Sequence, residues 1–453
     1  MKTEFDLELI QKYNRSGPRY TSYPTALQFS EAVDKAPIFD ALGQAEGPLS
    51  LYFHIPFCQK LCWFCACNTI ITTKQESADA YLDLLDKEAA LWIQRTNRKR
   101  PVSQVHLGGG SPSFLSPEQI YKLGSILHSY FSVTKDAECG IELDPRSSTE
   151  AKAAALRDIG FNRVSIGIQE SNTKVQKAIN RIQPQELNQE TVSYLRRLGF
   201  TSINVDLVYG LPYQTQESIR QTIVDVISLN PDRIATFNYA HVPWMKPAQK
   251  LLERTNALPE ATEKLEMFRI IIEEFTAAGY VFIGMDHFAK PDDPLSVALK
   301  NKTLRRNFQG YSTGARTDIL AMGISSISQS ENAYFQNFKE MPEYRSKLES
   351  GQVPLAKGYV LTEEDQRRRE IIMRLMCDFE LDYEVVSKRI GVEMSNAYAT
   401  ELKSLESMQA DGLLVMDSNG LWVTGKGRLL IRNIAMHFDA YLKFSEQRHS
   451  KTI

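Results

Sequence analysis

The sequence predicts an α/β chain built on a partial barrel of six βα units. An irregular amino-terminal arm precedes the barrel and a mainly helical carboxy-terminal domain follows it. Three observations carry this reading. Six short β-like runs recur between residues 50 and 239, segments of helical period separate them, and from about residue 360 the pattern turns helical. Strand–helix alternation at this spacing is the mark of βαβ units and a parallel sheet. Six units fall short of a closed eightfold barrel. The expected divisions are an arm or lid over 1–45, the partial barrel with its extension over 46–345, and the helical domain over 346–453.

Taken in order, the arm centres on "NRSGPRYTSYPT", whose Gly, Pro, Ser and Tyr favour irregular chain. The strand-like runs are "SLYFHI" (50–55), "VSQVHL" (102–107), "CGIEL" (139–143), "RVSIGI" (163–168), "SINVDLVY" (202–209) and "RIATFNY" (233–239). Between them, "SADAYLDLLDKEAALWIQRT" and "QELNQETVSYLRRLG" keep helical spacing of their apolar residues. Directly after the strands come a cysteine stretch, "GGGSPS", "DPRSS", "QES", "GLP" and "AHVP". Loops at the carboxyl ends of parallel strands converge, so six such loops predict one large site on one rim. The runs "YVFIGMDHF" (280–288) and "NFQGYSTGARTDILAMGISSIS" (307–328) are candidates to extend that rim. Helix begins again with "TEEDQRRREIIMRLMCDFEL", and Asn419-Gly420 between apolar runs predicts a hairpin. Helices followed by a hairpin suggest either a winged helix or a helical cap, and the charge favours the cap.

The 453 residues are 43% hydrophobic and 24% charged, with a formal net charge of −2. These values give no general attraction to nucleic acid or to an acidic membrane. The amino terminus, "MKTEFDLELIQKYN", lacks the apolar centre of a signal peptide. No run approaches the roughly 18 apolar residues of a membrane span. The expected location is therefore the cytoplasm. Nothing requires a partner subunit, so a monomer is expected.

Four of the six cysteines fall in "CQKLCWFCAC" (58–67). A cytoplasmic disulfide framework is disfavoured. A closed zinc site would use all four thiolates, although two well-separated Cys-x-x-Cys pairs are missing. The third reading takes Cys58, Cys62 and Cys65 as a tripod for a four-iron cluster, since iron–sulfur clusters are held by cysteine thiolates. Three ligands leave one iron open to a reactant. This spacing resembles the radical S-adenosylmethionine (SAM) superfamily. The resemblance implies a TIM-like partial barrel, a [4Fe–4S] cluster, and SAM bound through its amino and carboxylate groups to the free iron. Reductive cleavage of SAM then yields a 5′-deoxyadenosyl radical. Cys67 is left as a spare thiol, a structural one, or a fourth ligand.

Other rim residues have two readings each. Gly108-Gly109-Gly110 is either a tight turn or a place for a ligand to approach the backbone. Glu142 is either a solvated strand end or an acceptor for hydroxyls or an ammonium. Asp206 lies in the apolar run "INVDLVYG", where an unpaired charge is costly, which calls for a partner or ligand. Arg181 is either a surface arginine or a carboxylate partner. His54 is equally a core or a functional histidine.

Longer segments resemble one family, the oxygen-independent coproporphyrinogen III oxidases (dehydrogenases) of haem biosynthesis. They are "LIQKYNRSGPRYTSYPTA" (9–26), "SLYFHIPFCQKLCWFCAC" (50–67), "HLGGGSPS" (106–113), "DLVYGLP" (206–212), "NYAH" (238–241), "GYVFIGMDHFAKPDD" (279–293), "NFQGY" (307–311) and "TGKGRLLIRNIAMHFD" (424–439). The resemblance implies oxidative decarboxylation of two propionates of coproporphyrinogen III to vinyl groups, giving protoporphyrinogen IX. It implies two SAM molecules per chain. Tyr52, Gly109, Glu142 and Ile327 would contact the one bound to iron. Phe64, Gly110, Ser111, Gln169, Arg181, Asp206 and Ala240 would contact the second. The candidate catalytic residues are Tyr52, His54, Cys67 and Arg19, the last to position a substrate carboxylate. The implied partners are coproporphyrinogen III and an unidentified electron donor, with no nucleic acid and no membrane.

The chain departs from the family pattern at four places: Ala66 for the usual Gly, Ser111 for Thr, "IQES" for "VQDF", and "STGARTD" (312–318) for "TTQGDTD". Positive φ at residue 66 would strain an alanine. These departures keep in view a paralogue acting on another tetrapyrrole; a haem chaperone on the same barrel is a separate rival, against which the "GPRYTSYP" arm and Cys67 speak. A zinc-stabilised binding module is the remaining rival.

Overall fold

In the computed structural model, residues 3–314 and 317–442 are described. Residues 315 and 316, within the divergent "STGARTD" segment, lie outside them. Among the described residues, one compact unit draws on Phe29–Ala278 and Arg316–Val360, and another on Met1–Gln28, Gly279–Ala315 and Leu361–Ile453. Residues 1–45 are thus shared between the two.

The first unit is the partial barrel. Its strands are β1 (Leu49–Ile55), β2 (Pro101–Gly109), β3 (Ser132–Leu143), β4 (Arg163–Gln169), β5 (Ser202–Tyr209), β6 (Arg233–Asn238), β7 (Asp318–Met322), β8 (Ile327–Gln329), β9 (Ala333–Asn337) and β10 (Leu355–Val360). The order within the unit is β10-β9-β8-β7-β1-β2-β3-β4-β5-β6. Neighbours from β7 through β1 to β6 pair in parallel, whereas β8, β9 and β10 pair antiparallel. Every one of the six expected strands forms, and β7 joins beside β1 as a seventh parallel strand. The helices include α1 (Glu76–Ile93), α2 (Pro117–Tyr130), α3 (Glu150–Asp158), α4 (Gln185–Arg197), α5 (Gln216–Ser228), α6 (Ala261–Ala277) and α7 (Met341–Glu349). Local chemistry sets their starts: Ser116 and Gln119 form a reciprocal capping box on α2, and Thr149 caps α3.

Strand alternation sorts the two faces of the sheet. Val164, Ile166 and Ile168 of β4 and Ile203, Val205 and Leu207 of β5 are buried on one face. The opposite parity carries Tyr52, His106, Glu142, Ser165, Asn204 and Asp206. Register keeps that parity in line, with Tyr52 opposite His106, Glu142 opposite Ser165, and Ser165 opposite Asn204. One face therefore builds the apolar core, and the other collects polar groups.

Helix α1 contributes Glu88, which is fully buried. Its carboxylate accepts from Trp92 Nε1 (3.1 Å), Gly323 N (2.7 Å), Asn337 Nδ2 (2.6 Å) and Tyr344 Oη (2.5 Å). Tyr81, also on α1, donates to His54 O (2.8 Å) and accepts from Ile324 N (3.0 Å). These bonds hold the turn between β7 and β8.

In the other unit, the run expected at 280–288 is two strands, Val281–Gly284 and His287–Ala289, paired antiparallel. Gly284 (φ 150°) and Met285 (φ 52°) turn the chain between them. Arg305–Asn307 and Gly310–Ser312 form a second hairpin. The expected helix is α8 (Glu363–Asp378), and the hairpin around Asn419-Gly420 pairs Leu414–Met416 with Gly420–Val423. The arm residues of this unit are bonded into it. Tyr20 donates to Asp439 (2.9 Å), Arg432 Nε donates to Pro18 O (2.9 Å), and Arg19 pairs with Asp286. Among the described residues, no helix is long and apolar enough to cross a membrane.

Candidate active site

The cysteine loop leaves β1 and is closed by a short parallel pairing of Phe57–Cys58 with Ile70–Ile71. Ile70 N donates to Pro56 O (2.7 Å), Cys65 N to Cys62 O (3.1 Å), and Trp63 N to Ile179 O (3.0 Å). All six cysteines are free thiols. Burial, helped by the neighbouring Cys65 and Cys62 sulfurs, pushes the Cys58 thiol up to about 12. Cys65 is pulled down to about 6, chiefly by the Cys67 thiol bonded to it, with Lys246 and Arg181 assisting. The same bond pushes Cys67 well up. Cys67 N also approaches Cys65 Sγ (3.4 Å), and Cys67 O accepts from Lys246 Nζ (2.7 Å). Ala66 is not among the residues with positive φ, so alanine in that position carries no left-handed strain.

The glycine run packs directly on this loop. Gly110 N donates to Ile55 O (2.9 Å), and Ser111 N donates to Phe57 O (2.9 Å). A Cβ on Gly110 would lie 2.6 Å from the Pro56 carbonyl carbon and oxygen. A Cβ on Gly109 would lie 2.7 Å from the His54 ring, and φ there is 117°. Both positions thus need glycine for close approach within the fold itself. Gly109 N donates to Glu142 Oε2 (3.3 Å), and Glu142 Oε1 lies 3.3 Å from His106 Nε2. The Glu142 side chain is 45% exposed, so it retains acceptor capacity. Tyr52 stacks on His106, with centroids 6.0 Å apart, and its hydroxyl lies 3.2 Å from His54 Nδ1. His54 Nε2 bonds Asn68 O (3.0 Å), and burial keeps its pKa down. His54 is therefore buried in the loop's support as well as next to Tyr52.

Asp206 has the partners its apolar setting called for. Ser165 Oγ and Asn204 Nδ2 both donate to it at 2.7 Å. Burial nonetheless raises its pKa to about 6, with Glu142 adding to the shift. Gln169 holds φ 70° at the end of β4. Arg181 is buried, donates to Asp144 Oδ2 (3.2 Å), and lies 3.6 Å from Cys62 Sγ. Its Nε is buried with no hydrogen-bond partner among the described residues. Phe64 O and Ala240 O share Gln249 Nε2, at 3.0 and 3.2 Å. Ser111 Oγ is spent on Ser113 Oγ (2.8 Å), and Ile327 begins β8.

The barrel unit thus brings together Tyr52, His54, the four clustered cysteines, Gly109, Gly110, Glu142, Arg181 and Asp206. Arg19 lies in the other unit, paired with Asp286. Sequence reasoning passed over Asp144 and Arg146, which also reach the cysteine loop, although "DPRSS" marked their position on the rim. It also passed over Lys246, Ser165 and Asn204.

Three free thiols, guanidiniums on one sulfur, an orphaned arginine Nε and the half-exposed Glu142 carboxylate form a donor set that fits an iron–sulfur cluster and an amino-acid-bearing cofactor. Among the described residues, no three Cys, His, Asp or Glu side chains converge tightly enough for a single metal ion.

The Radical SAM superfamily matches residues 52–226, and the HemN C-terminal domain matches residues 361–430. The chain is 47% identical over 445 residues to the oxygen-independent coproporphyrinogen III oxidase of Salmonella typhimurium, covering 97% of this chain and 96% of the relative. It is 44% identical to the protein of that name from Synechocystis, covering 99% and 98%. A solved structure of coproporphyrinogen III oxidase (HemN) from Escherichia coli, a radical SAM enzyme, superimposes with a TM-score of 0.93 at 45% identity, covering 97% of this chain and 100% of that one.

Proposed function

Because the chain belongs to the oxygen-independent coproporphyrinogen III oxidases, which are radical SAM enzymes, we propose that it carries out their reaction with the residues assembled above. The substrate is coproporphyrinogen III. Two of its propionates each give up a hydrogen atom to the deoxyadenosyl group, carbon dioxide, and one electron to an unidentified one-electron acceptor, and become vinyl groups, giving protoporphyrinogen IX in haem biosynthesis without oxygen. The observation that carries the assignment of residues is the gathering of Cys58, Cys62 and Cys65 on one loop among rim carboxylates and guanidiniums.

Cys58, Cys62 and Cys65 would hold a [4Fe–4S] cluster, which with SAM would supply the one-electron radical chemistry for hydrogen abstraction from the propionate side chain. Tyr52, Gly109, Glu142 and Ile327 would contact the SAM at the cluster. Glu142 keeps an acceptor free for an ammonium or hydroxyl. Phe64, Gly110, Ser111, Gln169, Arg181, Asp206 and Ala240 would contact a second SAM. The free Nε of Arg181 suits a carboxylate, and Asp206 suits a ribose hydroxyl. Cys67, His54 and Tyr52 border the site as candidate catalytic groups. Arg19 is assigned to a substrate carboxylate, a role in which it would exchange Asp286 for the propionate. The electron comes from an unidentified one-electron donor. The working form is a cytoplasmic monomer that needs neither nucleic acid nor membrane.

The test is anaerobic turnover of the cluster-loaded chain with a strong reductant, SAM and coproporphyrinogen III. Protoporphyrinogen and 5′-deoxyadenosine are expected. Stable haem binding without either product would instead support the chaperone reading.

A further inference from the structure

Cys62 is the most buried of the four clustered cysteines, 8% exposed as a residue. Two guanidiniums reach its sulfur: Arg146 Nη2 at 3.3 Å and Arg181 Nη1 at 3.6 Å. Both are tied to one carboxylate. Arg146 forks Asp144 through Nε (3.0 Å to Oδ1) and Nη2 (2.6 Å to Oδ2), and Arg181 Nη1 donates to Oδ2 at 3.2 Å. The Arg146 backbone N–H also donates to Oδ1 (3.0 Å), while Ser147 N and Ser148 N donate to the Asp144 carbonyl (3.0 Å each). The turn after β3 is therefore stiff, and it aims one fork of Arg146 at the sulfur. Two positive charges and one negative charge leave one net positive charge beside Cys62.

Hydrogen bonds to cluster sulfurs and local net charge set the reduction potentials of iron–sulfur centres. Taking up one electron makes a thiolate-bound cluster more negative. N–H donors and positive charge at a ligand sulfur favour that state.

We propose that Asp144 and Arg146 are a tuning pair that sets the reduction potential of the cluster through Cys62. Arg146 eases uptake of the electron. Asp144 fixes the guanidinium in place and partly cancels its charge. The step is the addition of one electron from a strong one-electron reductant, with no bond made or broken at the pair and no proton moved. This inference rests on Cys62 being a cluster ligand.

The experiment is a potentiometric titration followed by electron paramagnetic resonance. It uses dithionite with redox mediators on anaerobically loaded wild type, Arg146→Gln, Arg146→Lys and Asp144→Asn. Iron and sulfide per chain are measured in each sample. The expected order of midpoints, from most negative upward, is R146Q, R146K, wild type, D144N. The opposite shifts are the discriminating feature, because general loosening of the turn would move R146Q and D144N in the same direction. Coincident midpoints, or shifts of one sign, overturn the tuning role. Loss of the cluster from R146K as well as R146Q overturns it too, since Arg146 would then be needed for assembly. Wild-type protein that binds no cluster under these conditions overturns the reading of Cys62 itself.

Discussion

Replacing Glu88 by Gln isolates one buried carboxylate that holds the turn before Ile327. Its pKa is raised from an ordinary 4.5 to about 7, mainly by burial, against the pull of its four donors. The folded state therefore binds the proton more tightly than the unfolded state does. Its favourable contribution is fully present below the unfolded pKa and is lost as pH rises through about 7. A shift of about 2.5 units at about 1.36 kcal/mol each gives roughly 3.4 kcal/mol in all, of which about 2.5 kcal/mol falls between about pH 5 and about pH 8. Glutamine carries no such charge. Its amide can face Tyr344, whose hydroxyl can rotate to accept, but Gly323 N then meets no acceptor. That orphaned N–H costs about 1–3 kcal/mol at every pH. Denaturant unfolding of the parent and E88Q, at about pH 5 and about pH 8, measures both terms. The variant is expected to be less stable at the acid end, and its deficit to shrink by about 2.5 kcal/mol at the alkaline end. A deficit that does not change with pH refutes the reasoning.

Gly110→Ala places a Cβ 2.6 Å from the Pro56 carbonyl, so about 1–3 kcal/mol of stability is expected to be lost; denaturation midpoint and iron per chain are the measurements. Alanine at Cys58, Cys62 or Cys65 is expected to abolish the brown colour and bound iron, whereas Cys67→Ala keeps both, as read by visible absorbance and iron analysis. Because burial raises the Asp206 pKa to about 6, cofactor binding that needs its carboxylate is expected to weaken as pH falls through that value. Asp206→Asn should bind SAM less well at neutral pH and lose that acid limb, which equilibrium dialysis across pH can check.

The strands were legible because each is a compact apolar run, and all six form within a residue or two of the quoted spans except β3, which starts earlier at Ser132. The partner of β1 was not legible. Asp318–Met322 pairs with Leu49–Phe53 across more than two hundred intervening residues, and no local period encodes which strand a run will join. The segment 280–288 looked like one strand because its apolar residues are nearly continuous; the turn depends on positive φ at Gly284 and Met285.

At the site, the tripod and the glycines were visible as spacing, and Asp206 as a charge in an apolar run. The glycines turn out to be required by Pro56 and His54 as neighbours. The approach of Arg146 and Arg181 to Cys62 joins three loops through the parallel topology, so sequence proximity gives no sign of it.

The most direct measurement is the resonance spectrum of the reduced, oxygen-protected protein before and after SAM is added, with Cys67→Ala as companion. A [4Fe–4S] signal that SAM alters, present equally in the companion, is the expected result. Zinc in place of iron, or a cluster that ignores SAM and disappears without Cys67, would contradict the open iron position on which the proposed chemistry depends.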